Sequence, residues 1–397
     1  MTDAYRRLTA LVADEPMPCA VVDLDAFEAN VDRHLAVTRA AGKKLRPASK
    51  SLRCLDLIRR VLARGGEGVM CYSVDEAAYL VGEGLDDLFV AYPTGLPRDA
   101  RTLAELARSA TVGIVVDAPE HLDLLEAAAR EAGTRVPVVV EVDLGWRPGG
   151  VHLGARRSPL RTPKDVVALA RSAHDRDHLR FHGVMGYESQ VAGLQDRNPF
   201  APLLNPAKQL IRARSRPLVR RTRAAIAAGL AAAGIPCPVF NGGGTGSLRW
   251  TADEAAVTEV TAGSGFLAPH LFDYFSGGSV TLEPALCFAA QVVRRPGPGL
   301  VTCHGGGFVA SGEAGPDKLP LPWLPRGVEL LSAEGAGEVQ TPLKVPTHVD
   351  LPLGAPVFFR PAKAGEPAEH FTEYLLVRGD VVEARVPTYR GRGGRFL

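Results

Sequence analysis

Lys50 closes the segment Leu45-Arg46-Pro47-Ala48-Ser49-Lys50-Ser51, where an alanine-rich helical stretch and a turn at Gly42-Lys43-Lys44 give way to a short strand. Proline has no backbone donor, so Pro47 suits only special places in a sheet. An amine at the carboxyl end of a barrel's first strand can reach a carbonyl compound and form an imine with it. Taken singly, a lysine belongs on the surface; the rest of the sequence assigns this one chemistry. Far along the chain lie Asn241-Gly242-Gly243-Gly244-Thr245-Gly246-Ser247 and Gly263-Ser264-Gly265-Phe266. Glycines let backbone N–H groups close around an anion, and Thr245, Ser247 and Ser264 add hydroxyl donors. Any turn uses glycine, but two such runs after successive strands mark the phosphate seat of a barrel. A small molecule with an aldehyde at one end and a phosphate at the other would span the lysine and the two runs. Pyridoxal phosphate is such a molecule.

The elements that must position these groups alternate. Residues 18–23 read as an opening strand, and Asp25 caps a helix with apolar positions Phe27, Val31, Leu35 and Val37. Eight further strands are predicted at 44–49, 67–71, 87–91, 111–116, 136–143, 180–186, 237–240 and 257–261. Amphipathic helices are predicted between most of them, at 53–64, 74–84, 97–108, 119–132 and 163–175. Short apolar strands alternating with helices argue for a parallel sheet, and eight of them for a (β/α)8 TIM-type barrel within an α/β fold. After Gly265 the helical period fades, and β-rich segments follow at 278–293, 299–310, 327–331, 355–360 and 372–386. These predict a C-terminal, mostly antiparallel β-domain. The expected division is a cofactor-binding barrel over 18–270 and a β-domain over 275–397, with residues 1–17 packed on the latter. The strand ends, where barrel chemistry gathers, also carry Tyr72, Ser73, Tyr92, Asp117, the run Asp143 to Arg147, Tyr187 and Glu188.

Composition excludes several classes. The 397 residues are 46% hydrophobic and 23% charged, with a net charge of +2, so no nucleic-acid or anionic-membrane partner is indicated. No apolar run approaches a membrane span, and the polar first residues do not resemble a secretory signal. Six scattered cysteines without a CxxC pair read as reduced thiols of a cytoplasmic protein. The arginine-rich stretch 207–233, with Arg212, Arg214, Arg216, Arg220, Arg221 and Arg223, reads as a solvated helix face or a flexible approach to the site.

The motifs together resemble the fold-type III pyridoxal phosphate enzymes of the alanine racemase superfamily. Within them they resemble the D-threonine aldolase and D-serine dehydratase branch. The resemblance rests on Pro18-Cys-Ala-Val-Val-Asp-Leu-Asp25, Leu45-Arg-Pro-Ala-Ser-Lys50, Glu141-Val-Asp-Leu-Gly-Trp-Arg147-Pro-Gly-Gly-Val151, Gly183-Val-Met-Gly-Tyr187-Glu188, the Gly243-Gly244-Thr245 loop and Glu259-Val-Thr-Ala-Gly-Ser-Gly265. It implies that Lys50 holds pyridoxal phosphate as an imine, that Arg147 sits near the ring and that Tyr187 lies beside it. It also implies that Gly243, Gly244, Thr245, Gly263, Ser264 and Gly265 bind the phosphate, and that the protein is a homodimer.

The chain departs from the family in two places. The lysine motif usually reads Arg-Pro-His-x-Lys-Thr-His-Lys; here Ala48, Leu52 and Arg53 replace the two histidines and the last lysine. Relatives of this branch also bind a divalent metal near the C-terminus, and two registers compete for it. Thr347-His348-Val349-Asp350 has ligand types and spacing, making His348 and Asp350 candidate metal ligands. The stretch Leu353 to Gly365 aligns more naturally, and it puts Lys363 in the place of the metal-binding histidine, so that an ammonium replaces the cation. The leading expectation is a lyase acting on D-amino acids by retro-aldol cleavage of a β-hydroxy-D-amino acid, with Lys50 and Lys363 as its catalytic groups. The alternatives are a D-serine-type dehydratase or deaminase, a racemase using Tyr274 or Tyr374 as second base, and a cofactor-binding regulatory protein.

Overall fold

The computed structural model describes residues 1–277 and 280–396. A helix, Asp3–Leu11, comes first, its N-terminus capped by the Thr2 hydroxyl, which accepts the Tyr5 N–H. It is followed by strand β1 (Cys19–Asp23) and a helix over Leu24–Ala40 capped by Asp23. Eight strands then follow: β2 (Lys44–Pro47), β3 (Val69–Cys71), β4 (Asp87–Val90), β5 (Thr111–Val116), β6 (Val136–Glu141), β7 (Leu179–Gly186), β8 (Val239–Gly242) and β9 (Glu259–Ala262). They pair in parallel in the order β2-β9-β8-β7-β6-β5-β4-β3, and a bridge between Ala48 and Met70 joins the two ends into a barrel. Every residue of β6 is buried, as its near-continuous valine run requires of a strand covered on both faces. Helices Leu55–Ala63, Val74–Gly82, Pro97–Leu106, Pro119–Ala132 and Pro163–His174 fall where the periodicity predicts them.

The remaining strands are β10 (Leu286–Gly297), β11 (Leu300–His304), β12 (Leu321–Leu324), β13 (Glu329–Leu330), β14 (Gln340–Lys344), β15 (Pro356–Arg360), β16 (Glu373–Arg378) and β17 (Val381–Pro387). They form a second, mostly antiparallel sheet whose longest path runs β13-β14-β11-β10-β1-β16-β17. Of the segment expected at 278–293, Gly278 and Ser279 lie outside the described residues. Strand β1 belongs to this second sheet, antiparallel to β10 and parallel to β16. The barrel strands thus begin at Lys44, and the second sheet takes in residues 19–23, which the sequence reading grouped with the barrel. The first helix packs on the same sheet: Tyr5 Oη donates to the Pro356 carbonyl at 3.0 Å and its ring meets Phe358 edge-on.

The two sheets are tied together around Lys50 and along the helix Leu24–Ala40. The Tyr389 N–H donates to the Arg53 carbonyl at 2.7 Å, and Arg378 pairs with Glu28 at 2.8 Å. The arginine-rich helix, Asn205–Ala232, departs from expectation: Arg212 and Arg223 are fully buried in ion pairs rather than solvated. The six cysteines are free, and among the described residues no helix is long and apolar enough to cross a membrane.

Candidate active site

Lys50 lies in a single turn, Ser49–Ser51, that leaves the carboxyl end of β2, where Ser49 Oγ donates to the Met70 carbonyl at 2.9 Å. Its side chain lines a cavity of about 480 Å³ at the carboxyl ends of the barrel strands. There Nζ donates to Tyr92 Oη at 3.3 Å. The turn is gripped from behind: Arg53 Nε donates to the Lys50 carbonyl at 3.1 Å, and a side chain at Gly365 would run into that same carbonyl. Only glycine fits where the second sheet's loop crosses the lysine's backbone.

The two glycine runs meet the same cavity, and a buried carboxylate shapes the first of them. Glu188 has no solvent exposure, pairs with Arg223, and accepts from the Gly243 N–H at 3.1 Å and from Ser247 Oγ at 2.7 Å. Thr251 also donates to it. Burial alone would push its carboxyl up, but the Arg223 guanidinium and the Thr251 and Ser247 hydroxyls hold it below the usual carboxylate range. Gly243 takes φ +90°, a backbone open mainly to glycine. The runs are then joined to each other and to the lysine: Thr245 Oγ1 accepts the Gly265 N–H at 3.1 Å, and Ser264 and Ser51 share a 2.9 Å hydrogen bond. Thus the N–H groups of Gly243 and Gly265, expected at the phosphate, are spent inside the protein. Those of Gly244, Thr245 and Ser264 have no backbone or side-chain partner among the described residues and line the cavity with Gly263. An aldehyde reaching Lys50 and a phosphate seated on these N–H groups fit one molecule, so the residues present suit pyridoxal phosphate.

Tyr187 lies in the wall, its phenol pushed up to about 12 by burial. Arg147 stands elsewhere: its Nε donates to His152 Nδ1 at 2.9 Å and it lies 3.5 Å from Asp143, outside the cavity wall. The turn Pro148–Gly150 carries the chain away, and Arg157, later in the same long loop, occupies the wall instead. Its guanidinium stacks 5.4 Å from the Tyr92 ring centre and 5.3 Å from that of Tyr187. Burial raises Tyr92, but Lys50 and Arg157 outweigh it and hold the phenol below its ordinary range. Glu141, 3.9 Å from Arg157, is pushed up to about 7 by burial. The loop that follows β6 holds four arginines, Arg147, Arg156, Arg157 and Arg161, and no local pattern singles out Arg157 among them.

From the second sheet, Lys363 enters the same cavity. Its Nζ donates to the Ser311 carbonyl at 2.8 Å and to Ser311 Oγ at 2.9 Å, with Glu366 at 4.0 Å. Burial pulls this ammonium down, Glu366 pulls it back, and Lys318 and Lys50 push it further down. His348 and Asp350 are exposed. Asp350 pairs with Arg295 at 2.8 Å, and neither residue lines the cavity. Among the described residues no three His, Cys, Asp or Glu side chains converge as a metal site, so the donor set does not suit a metal there. The proposed second bases fare no better: Tyr374 is buried within β16, and Tyr274 packs on Phe200 and His270 outside the wall.

A parallel barrel with a lysine after its first strand, a glycine-built anion seat after its last two, and a mostly antiparallel sheet folded against it defines the fold-type III pyridoxal phosphate class. The chain belongs to the family described as "Alanine racemase, N-terminal domain", whose profile matches residues 22–267. It is 31% identical over 303 residues to D-threonine aldolase of Arthrobacter sp., covering 76% of this chain and 74% of that protein. It is 28% identical over 249 residues to 3-hydroxy-D-aspartate aldolase of Paracoccus denitrificans (strain Pd 1222), covering 62% of this chain and 59% of that one. Its fold matches the crystal structure of D-threonine aldolase from Filomicrobium marinum with a TM-score of 0.82 at 24% identity, over 96% of both chains.

Proposed function

We propose that the protein is a pyridoxal-phosphate-dependent lyase that cleaves β-hydroxy-D-amino acids by a retro-aldol reaction. The observation that carries this reading is the meeting of two lysines in one cavity: Lys50 from the barrel, beside the anion seat, and a half-buried Lys363 from the second sheet. The names of the aldolase relatives support it. Lys50 would hold the cofactor's aldehyde, the N–H groups of Gly244, Thr245 and Ser264 its phosphate, and Tyr187 would flank its ring. Arg157 would supply the positive charge expected of Arg147. When bound, the cofactor supplies a sink for the electron pair left at Cα when a bond to that carbon breaks.

The protein's own groups do the rest. Lys363, its ammonium pulled below its ordinary range by burial, accepts the β-hydroxyl proton as the Cα–Cβ bond breaks and the β-oxygen becomes an aldehyde. Ser311 holds the lysine in place and Glu366 stabilises the ammonium that results. Lys50, released by the substrate amine, takes up the proton that the entering ammonium sheds and delivers it to Cα after cleavage, with Tyr92 Oη at hydrogen-bond distance to relay it. The rival dehydratase reading uses the same two amines: Lys50 removes the Cα proton and Lys363 protonates the departing hydroxyl. A D-threo-3-hydroxyaspartate dehydratase of Delftia sp. (strain HT23) is among the relatives, 28% identical over 249 residues.

The test is incubation of the holoenzyme with D-threonine, D-serine and 3-hydroxy-D-aspartate, with and without chelator. Glycine plus aldehyde, unaffected by chelator, is expected. Keto acid plus ammonia would establish the dehydratase, and activity abolished by chelator would remove Lys363 from the proposed role. Light scattering would check the accompanying proposal of a homodimer.

A further inference from the structure

Arg53 is the cation of the cavity wall that the reading above leaves without a task. It follows the lysine turn at φ +46°, a conformation that glycine adopts more readily, so the chain keeps a long cationic side chain where backbone preference argues against one. The side chain is fixed on three sides. Nε donates to the Lys50 carbonyl at 3.1 Å, Nη1 to Glu369, and the guanidinium lies 5.1 Å from the centre of the Tyr72 ring. Nη2 donates to no protein group among the described residues. The other lining cations are committed elsewhere. Lys363 spends two donors on Ser311, Arg157 is stacked between two tyrosines, and Lys50 is the covalent anchor. Every amino acid substrate brings a carboxylate one bond from the carbon whose amine displaces Lys50. A rigid guanidinium next to that lysine, with a donor edge to spare, suits such an anion better than an ammonium does.

We infer that Arg53 takes the substrate α-carboxylate. The inference rests on the proposed function and assigns a binding residue to the same site. It leaves the β-oxygen to Lys363, so the two side chains divide the substrate between them.

The holoenzyme is titrated with glycine, which has no Cβ to cleave, and with methylamine, the same amine without the carboxylate. Binding is read from the shift of the lysine-linked cofactor's absorption band. Wild type should prefer glycine. Arg53→Met should lower that preference by about ten- to a hundredfold, through weaker glycine binding with methylamine unchanged. Arg53→Lys keeps the charge and stem if the methionine variant does not fold, and should give an intermediate preference. An unaltered band before ligand is added shows that the cofactor reading stands whatever Arg53 does. Equal weakening of both ligands would overturn the inference, because Arg53 would then only support the Lys50 turn. It is also overturned if the preference survives in both Arg53 variants but falls in Lys363→Met.

Discussion

Glu76 sits behind the Lys50 turn, fully buried at the start of helix Val74–Gly82. One of its oxygens accepts the Tyr72 N–H at 2.8 Å, while the other has no hydrogen-bond partner. Burial pushes its carboxyl from the ordinary 4.5 up to about 7, against the pull of the Ser49 hydroxyl, the Tyr72 N–H, the Tyr389 hydroxyl and Arg53. A carboxyl with a raised folded pKa contributes its full stability below about pH 4.5 and loses it as pH rises to about 7, because the unfolded chain ionises first. A displacement of this size corresponds to about 3 kcal/mol. Glu76→Gln keeps the side-chain volume and an acceptor for Tyr72 but cannot ionise. Urea unfolding of both proteins at about pH 4.5, 6 and 8 should therefore show similar stability in acid and a growing advantage for the variant, reaching about 3 kcal/mol at pH 8. Glu141 and Glu254, each also pushed up to about 7 by burial, are present in both proteins and drop out of the difference. A difference that does not change with pH would refute the reasoning.

Glu188→Ala leaves Arg223 with Glu254 alone and frees the Gly243 N–H and two hydroxyls in the interior. It should cost about 3–5 kcal/mol in unfolding stability and weaken cofactor affinity in a fluorescence titration. Because the Glu188 carboxyl is held below its ordinary range, its contribution is present at neutral pH and is lost as the solution is acidified through that lowered pKa. Lys363→Met should lower kcat by about 10²–10⁴-fold with the cofactor absorption band intact, while His348→Ala and Asp350→Ala should leave kcat and chelator response unchanged.

The barrel was legible because its strands are short apolar runs set off by amphipathic helices, and both periods survive in the sequence. Strand β1 was misplaced for a physical reason: Ala20-Val21-Val22 is buried on both faces, and such a run does not say which sheet buries it. Strands β12 and β14 went unseen because Leu321–Leu324 and Gln340–Lys344 carry prolines at 322 and 342, which argue against a strand. That Lys50 and the glycine runs share one cavity was legible because each follows the end of a barrel strand. Arg157 displaced Arg147 because the loop after β6 folds back on itself, and no local pattern records that return. Arg212 and Arg223 were read as solvated because a charge run on a helix usually is. Their partners, Asp196, Glu188 and Glu254, come from other elements.

The central claim is that Lys50 carries the cofactor. Borohydride treatment of the holoenzyme, followed by peptide mass analysis, tests it most directly, since reduction fixes a lysine-linked cofactor to its residue. A cofactor adduct on the peptide that contains Lys50, absent in Lys50→Ala, is the expected result. An adduct on Lys363 or any other lysine, or none on a protein that nevertheless retains pyridoxal phosphate, would contradict it.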